Sequence, residues 1–559
     1  MVSLLRVAGV VTCVATIASP LSAQRNAPAA YAITNARLVP VSSPTIEQGT
    51  VVIRGGLIVA VGATVAVPAD ARVIDGTGLT VYPGLIDGFG TLGLPSATPA
   101  AAGAAAPPGG GGGRGGGGAP APRAPNSTQA VGLQPELAVV NELGPDAASF
   151  TAARAAGFTT AFTSIGGGVF RGQSAVINLD GTDVSAMVVK SGMTQQLAFS
   201  RGGGGGGFPG SLFGVFAAIR QELLDAQRYR EVTAAYARSP KGMVRPAYDP
   251  SMVALQPVLA RQIPMVMLAN TQREIERALD LAKEFNLRVI IAGGTEAWKV
   301  AGRLKAENVP VLLTVNFPRR TTTPAADADP DPLRVLRERV EAPKGPAVLE
   351  AAGVTYAFTS GGAFPEFLAN VRRAVGGGLT TEQALKAMTT TPAQLFGIAD
   401  RMGALEAGRI ANLTITKGDL FALGSTVQQL FIDGQPIAIP VTAPTAGAGA
   451  GGGRGARPGT LEGQWTARIA FDGAEREVTF TLTQDGASLG GVLEGTFGSA
   501  VLEEGSIAAD GTFRFAAWLM HHDGLERAQF RGARQGDALV GEVAVQGHGT
   551  SRFTGSQER

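Results

Sequence analysis

Apolar and polar positions alternate over short runs in residues 30–82. The runs 31–39, 49–54, 57–62, 73–75 and 79–81 each read as a strand, and Gly55-Gly56 reads as the turn of a hairpin. Residues 81–92 then form a nearly continuous apolar run entered through Pro83-Gly84, the mark of a buried strand. From about Leu137 the period lengthens. Residues 150–156 predict a helix, 157–162 a strand and 212–237 a long amphipathic helix. Residues 264–269, 288–292, 310–315 and 354–358 predict strands, and 296–306 a helix. Thr271 and Glu274 have the spacing of a capping box, opening a helix whose apolar face is Ile275, Ala278, Leu279, Ala282 and Phe285. Repeated strand–helix units of this size imply a parallel sheet, here a (β/α)8 barrel. Strand patterns return at 408–415 and 427–434, where they would pair with the N-terminal strands. Residues 461–559 alternate again, with Asp485-Gly486 and Asp510-Gly511 at turns, which implies a small antiparallel barrel or sandwich.

Composition changes this picture in three places. Much of the glycine lies in runs: an Ala/Pro/Gly-rich stretch at 95–125, a second run at 202–207 and a third, at 441–460, that reads as a linker. Such stretches bury too little apolar surface to order themselves. The net charge of +2 over 559 residues gives no nucleic-acid footprint. At the N-terminus, Arg6, the apolar run 7–17 and the small residues before Gln24 read as a secretory signal over residues 1–23, with a membrane anchor as the other reading. Cys13 is the only cysteine, so a mature periplasmic or secreted chain would fold without disulfides. No later stretch is long and apolar enough for a transmembrane helix.

The run Pro83-Gly84-Leu85-Ile86-Asp87-Gly88-Phe89-Gly90-Thr91 resembles the first barrel strand of the amidohydrolase superfamily, whose pattern is P-G-x-I-D-x-H-x-H. Residues 403–413 resemble its G-S-L-x-x-G-K-x-A-D-L signature, and 384–396, with Thr391-Pro392-Ala393, its helix pair after the last strand. Residues 172–177 and 187–190 resemble the secreted, imidazolonepropionase-like branch. The resemblance implies a TIM-like barrel over 83–402, flanked by a composite β-sandwich from 27–82 and 403–440. It also implies a hydrolase of non-peptide carbon–nitrogen bonds that uses Zn or another divalent metal. Residues 461–559 would be a further all-β domain. Its Gly463-Gln464-Trp465 resembles the start of lipocalin-type barrels, which would offer a small-ligand mouth, a stabilising role or a tether.

The family's metal ligands are not matched. Phe89 and Thr91 replace the two histidines of the first strand. Leu268 and Asn270 stand where the related branch carries histidine, Gly293 stands at a later histidine position, and Gly361 takes the place of the last-strand aspartate. The chain's three histidines are His521, His522 and His548, all in the C-terminal domain. Zinc sites favour imidazole and thiolate, so no metal cofactor is expected in the barrel. Remaining candidates are Asp87, which matches the family's scaffold aspartate, and Glu296 with Glu366, either an acid/base pair or carboxylates at helix starts. Lys190 as a carboxylated bridging ligand would have nothing to bridge. His521-His522 on one strand would point to opposite faces, which weakens chelation.

The sequence therefore predicts an amidohydrolase-like barrel that has lost its metal site. The expected role is a non-catalytic one, binding a small molecule or partnering a paralogous active amidohydrolase or a second copy. The alternatives are a hydrolase acting on cyclic amides or small amide substrates, and a C-terminal domain that is itself the functional module.

Overall fold

The computed structural model describes residues 30–95 and 127–557 apart from short stretches, the longest being 201–208, 319–330 and 440–460. The predicted signal 1–23, the 95–125 insertion beyond Pro95, the linker 441–460, His522 and His548 lie outside the described residues, as does the side chain of His521.

Strands β1 (Ala30–Leu38), β2 (Ile46–Arg54), β3 (Leu57–Gly62), β4 (Ala71–Asp75) and β5 (Leu79–Pro83) open the chain. The central strands are β6 (Leu85–Gly90), β7 (Phe158–Thr163), β8 (Phe170–Asn178), β9 (Val188–Ala198), β10 (Met265–Ala269), β11 (Val289–Gly293), β12 (Val311–Thr314) and β13 (Tyr356–Thr359). They are followed by β14 (Leu413–Lys417), β15 (Thr426–Ile432) and β16 (Gln435–Ala438).

The first and last groups make one sheet in the order β16-β15-β14-β5-β1-β2-β3, with β4 also on β1. The join expected from sequence is present: β14 runs antiparallel to β5, from Leu413 opposite Pro83 to Lys417 opposite Leu79. Its strands form one continuous hydrogen-bonded path. Tyr31 and Phe431 lie three strands apart in it, yet their rings meet at 5.5 Å, so the sheet folds over its own core. Beyond Pro83 the chain turns directly into the central sheet at Gly84. A Cβ there would sit 2.1 Å from Thr159 Oγ1, so only glycine passes.

The central sheet has the order β13-β12-β11-β10-β9-β8-β7-β6. The sequence predicted parallel pairing throughout, and this is corrected at β8, which is antiparallel to both β7 and β9. Only a short loop joins β7 to β8, and a parallel connection needs a crossover of a dozen or more residues. The end strands β6 and β13 lie side by side: Thr359 Oγ1 donates to Phe89 O at 2.5 Å, and a Cβ on Gly88 would meet Phe358 O at 2.7 Å. Helices cover the outer face. The Gln272–Glu284 helix opens with the predicted capping box, Thr271 and Glu274 each bonding the other's backbone. Residues 296–306, predicted as one helix, form a 3₁₀ turn at Ala297–Val300 and a short α-helix at Ala301–Ala306.

The C-terminal strands are β17 (Gly463–Phe471), β18 (Ala474–Asp485), β19 (Ser488–Gly495), β20 (Gly498–Val501), β21 (Glu503–Ile507), β22 (Thr512–His521), β23 (Gly524–Gln535), β24 (Ala538–Val545) and β25 (Gly549–Gln557). All pair antiparallel. β18 bonds both β17 and β19, so the sheet comes round on itself, its thinnest seam being the single pair Ser488–Ser506 between β19 and β21. The inside is filled. Phe480, Phe515, Phe530 and Phe553 are buried and meet one another at ring distances of 4.8–5.9 Å. Trp465 is fully buried, donates Nε1–H to Leu461 O at 2.9 Å and carries the Arg534 guanidinium over its ring.

Candidate functional site

Each of the eight central strands sends at least one apolar side chain to a common inner cluster, among them Ile86, Phe162, Val176, Met193, Val266, Ile290, Leu312 and Ala357. Phe89 and Leu268, at two of the positions where the resemblance places metal ligands, pack against the same cluster. Phe89 stacks on Phe162 at 6.2 Å, and Phe162 stacks on Phe396 at 4.4 Å. Three aromatic rings thus run through the inside of the sheet. Phe396 follows the Thr390–Leu395 helix and is held there by Lys190, whose ammonium donates to Phe396 O at 3.2 Å and Gly397 O at 2.8 Å. Lys190 is accordingly a capping residue. It is not a bridging ligand.

Thr91 and Asn270 are exposed just past the ends of β6 and β10. Gly293 and Gly361 both have left-handed backbone that favours glycine. Gly293 has φ +89°, and a Cβ there would lie 2.2 Å from Asn270 Oδ1. Gly361 has φ +58°, and a Cβ would lie 2.8 Å from Thr314 Cγ2. A ligating side chain at either place would have to displace a neighbour and strain the backbone.

Asp87 is completely buried and accepts from Ser360 N at 2.9 Å and Ser360 Oγ at 2.8 Å. Burial pushes its carboxyl above the ordinary range, and the Ser360 bonds oppose that shift. Both oxygens are used in tying β6 to the end of β13. Glu296 accepts from Gln272 N at 2.7 Å and pairs with Lys299 at 2.6 Å. Burial works against its charge, but these partners hold the carboxyl below its usual value. Glu366 lies half-buried in the first turn of the Phe364–Gly376 helix. Glu296 thus caps the start of the neighbouring Gln272–Glu284 helix, while Glu366 stands in the first turn of its own, so the two are engaged at separate helix starts.

The resemblance implies a divalent metal, and the residues do not fit one. The six positions offer a phenyl ring, a hydroxyl, an isobutyl group, an amide and two glycines, where imidazole and carboxylate are needed. Among the described residues no three His, Cys, Asp or Glu side chains are placed to hold a metal ion.

Sequence reasoning did not find two other features. One is a cavity of about 170 Å³ beyond the C-terminal ends of β11 and β12, lined by Trp298, Leu313, Phe317, Leu349, Asn316 and Glu338 among others. The other is Glu222, buried in the middle of the Leu212–Arg238 helix. Its signal was available: Val215, Ala218, Ile219, Glu222, Leu223 and Ala226 share one helical face, so an acid stands on the apolar stripe.

Residues 332–437 match the model of the amidohydrolase family. Among solved structures, an amidohydrolase from Thermotoga maritima MSB8 is similar at 24% identity and a TM-score of 0.59, over 73% of this chain and 99% of that one. A putative prolidase from Bifidobacterium longum is similar at 14% identity and a TM-score of 0.38, over 73% and 95% of the two chains. A beta-aspartyl dipeptidase from Fervidobacterium islandicum AW-1 is similar at 13% identity and a TM-score of 0.37, over 74% and 97%. No curated protein matches the chain. The first of these structures shares the fold.

Proposed function

We propose that this is a periplasmic or secreted amidohydrolase-fold protein whose (β/α) barrel no longer performs metal-dependent hydrolysis. Its role is to bind a small molecule or to partner an active relative or a second copy. The observation that carries this reading is the Phe89–Phe162–Phe396 stack inside the sheet, together with Gly293 and Gly361 at two ligand positions. In a metal hydrolase, the ion lowers the pKa of a bound water and polarises the scissile group. Here no set of side chains among the described residues is left to hold one, and Asp87 is spent on Ser360. A fold alone is weak warrant for an activity, so the site decides.

The place for a ligand is the cavity beyond β11 and β12, because ligands of α/β sheets bind outside the carboxyl ends of the strands. Trp298, Phe317, Leu313 and Leu349 offer it an apolar wall, with Asn316 and Glu338 as polar contacts. The test is an assay of purified, Zn-supplemented protein against cyclic amides and small amide substrates. The expected rate is that of buffer. Turnover that a chelator abolishes would contradict the reading and restore the hydrolase alternative.

A further inference from the structure

A cavity of about 580 Å³ opens beside the β2–β3 hairpin turn, apart from the one beyond β11 and β12. Arg54, Leu57, Arg401, Ile410 and Asp433 are among the residues that line it. Two turns meet there. Gly434 has φ +73°, and a Cβ on it would lie 2.8 Å from Gly56 Cα. Leu57 and Ile410 pair through their backbones across the same place, and Leu57 is 42% exposed.

Two opposite charges line this cavity without pairing. Asp433 Oδ2 accepts from Asn178 Nδ2 at 2.7 Å. Asn178 Oδ1 accepts from Asn412 Nδ2 at 2.8 Å, and Asn412 Oδ1 accepts from Asp433 N at 2.8 Å. Both asparagines are buried, so this closed ring fixes the carboxylate and uses only one of its oxygens. Arg401 donates from Nη1 to Val189 O at 2.8 Å, which leaves Nε and Nη2 without a partner among the described residues. The third charge, Arg54, is already neutralised by Asp70, which it meets at 2.9 and 2.6 Å. Among the described residues neither Asp433 nor Arg401 makes an ion pair. Burial pushes the Asp433 carboxyl above its ordinary range with help from Asp180, and the Asn178 bond and Arg401 oppose that shift. The guanidinium is thus near enough to act on the carboxylate without touching it. Each charge is held from behind by an uncharged group, and each keeps hydrogen-bonding capacity to spare.

We propose that this cavity binds a free α-amino acid with an apolar side chain. Such a ligand carries its own two charges one carbon apart. Its ammonium donates to the open oxygen of Asp433. Its carboxylate accepts from Nε and Nη2 of Arg401, the planar edge that suits a carboxylate with two parallel bonds. Its side chain lies against Leu57 and Ile410.

Calorimetric titration of the full chain with leucine tests this, beside isocaproate, which lacks the ammonium, and leucinamide, which lacks the carboxylate. Leucine should bind saturably, and each analogue about tenfold more weakly or worse, since each loses one charge-assisted contact. Arg401 is exposed, so Arg401→Gln should fold normally and bind leucine no better than leucinamide. Asp433→Asn should likewise bind leucine no better than isocaproate. If Asp433→Asn does not fold, Arg401→Gln carries the test alone. An analogue that binds as tightly as leucine overturns the proposal, and so does leucine binding that Arg401→Gln leaves unmoved. Failure of leucine to saturate the protein by about 10 mM overturns it as well.

Discussion

The central sheet and the C-terminal sheet each bring strands round a core, but different bonds close them. In the C-terminal sheet, backbone pairing continues from strand to strand, including β18 on β19, with one thin place at Ser488–Ser506. Its inside is a cluster of phenylalanines. In the central sheet the end strands β6 and β13 are joined by side chains, Thr359 to Phe89 O and Ser360 to Asp87. Its inside is aliphatic except for the aromatic stack. Asp87 therefore has a structural use that does not depend on a metal. A residue shared with a catalytic family motif is here a structural clasp, and its presence is not evidence of catalysis.

The contrast collapses if the two cores are not independent. Phe162→Ala removes the middle ring of the stack and should cost about 3–5 kcal/mol. Phe480→Ala should cost a similar amount in the other core. In calorimetry each should lower one unfolding transition and leave the other in place. A common shift of both would mean that the two sheets unfold as one unit.

Next in size is Asp87→Ala, which leaves the Ser360 N–H and hydroxyl without their acceptor. The expected loss is about 2–3 kcal/mol from the central transition alone. Asp87→Asn should cost less, since it keeps one acceptor oxygen for Ser360. Equal losses in the two variants would mean that charge matters more at this clasp than the hydrogen bonds do. Smallest is Arg534→Ala, which removes the cation over Trp465 and should cost about 0.5–1 kcal/mol, read from a slight fall in the C-terminal transition. A loss several times larger would show that Arg534 holds more than the indole face.

Much of the frame was legible because local rules suffice for it. The capping box at Thr271 and Glu274, the strands before Pro83 and their return at Leu413 follow from spacing and alternation. The reversal of β8 was missed because apolar runs carry no direction, although the shortness of its connection to β7 did. For the candidate site, the absence of histidine from the barrel was plain from composition. The strain that a side chain at Gly293 would meet was not. It depends on a φ of +89° and on Asn270 lodged against that backbone. The stack of Phe162 on Phe396 joins residues far apart in sequence, and no periodicity reports such a pair.

The proposed role depends on the inside of the central sheet holding no metal site. The metal content of the purified chain, measured by plasma mass spectrometry after Zn supplementation and desalting, decides it. The expected content is less than about a tenth of an equivalent of transition metal per chain. One or two tightly held equivalents, lost in a Phe89→Ala or Asp87→Ala variant that still folds, would contradict that and move hydrolysis to the front.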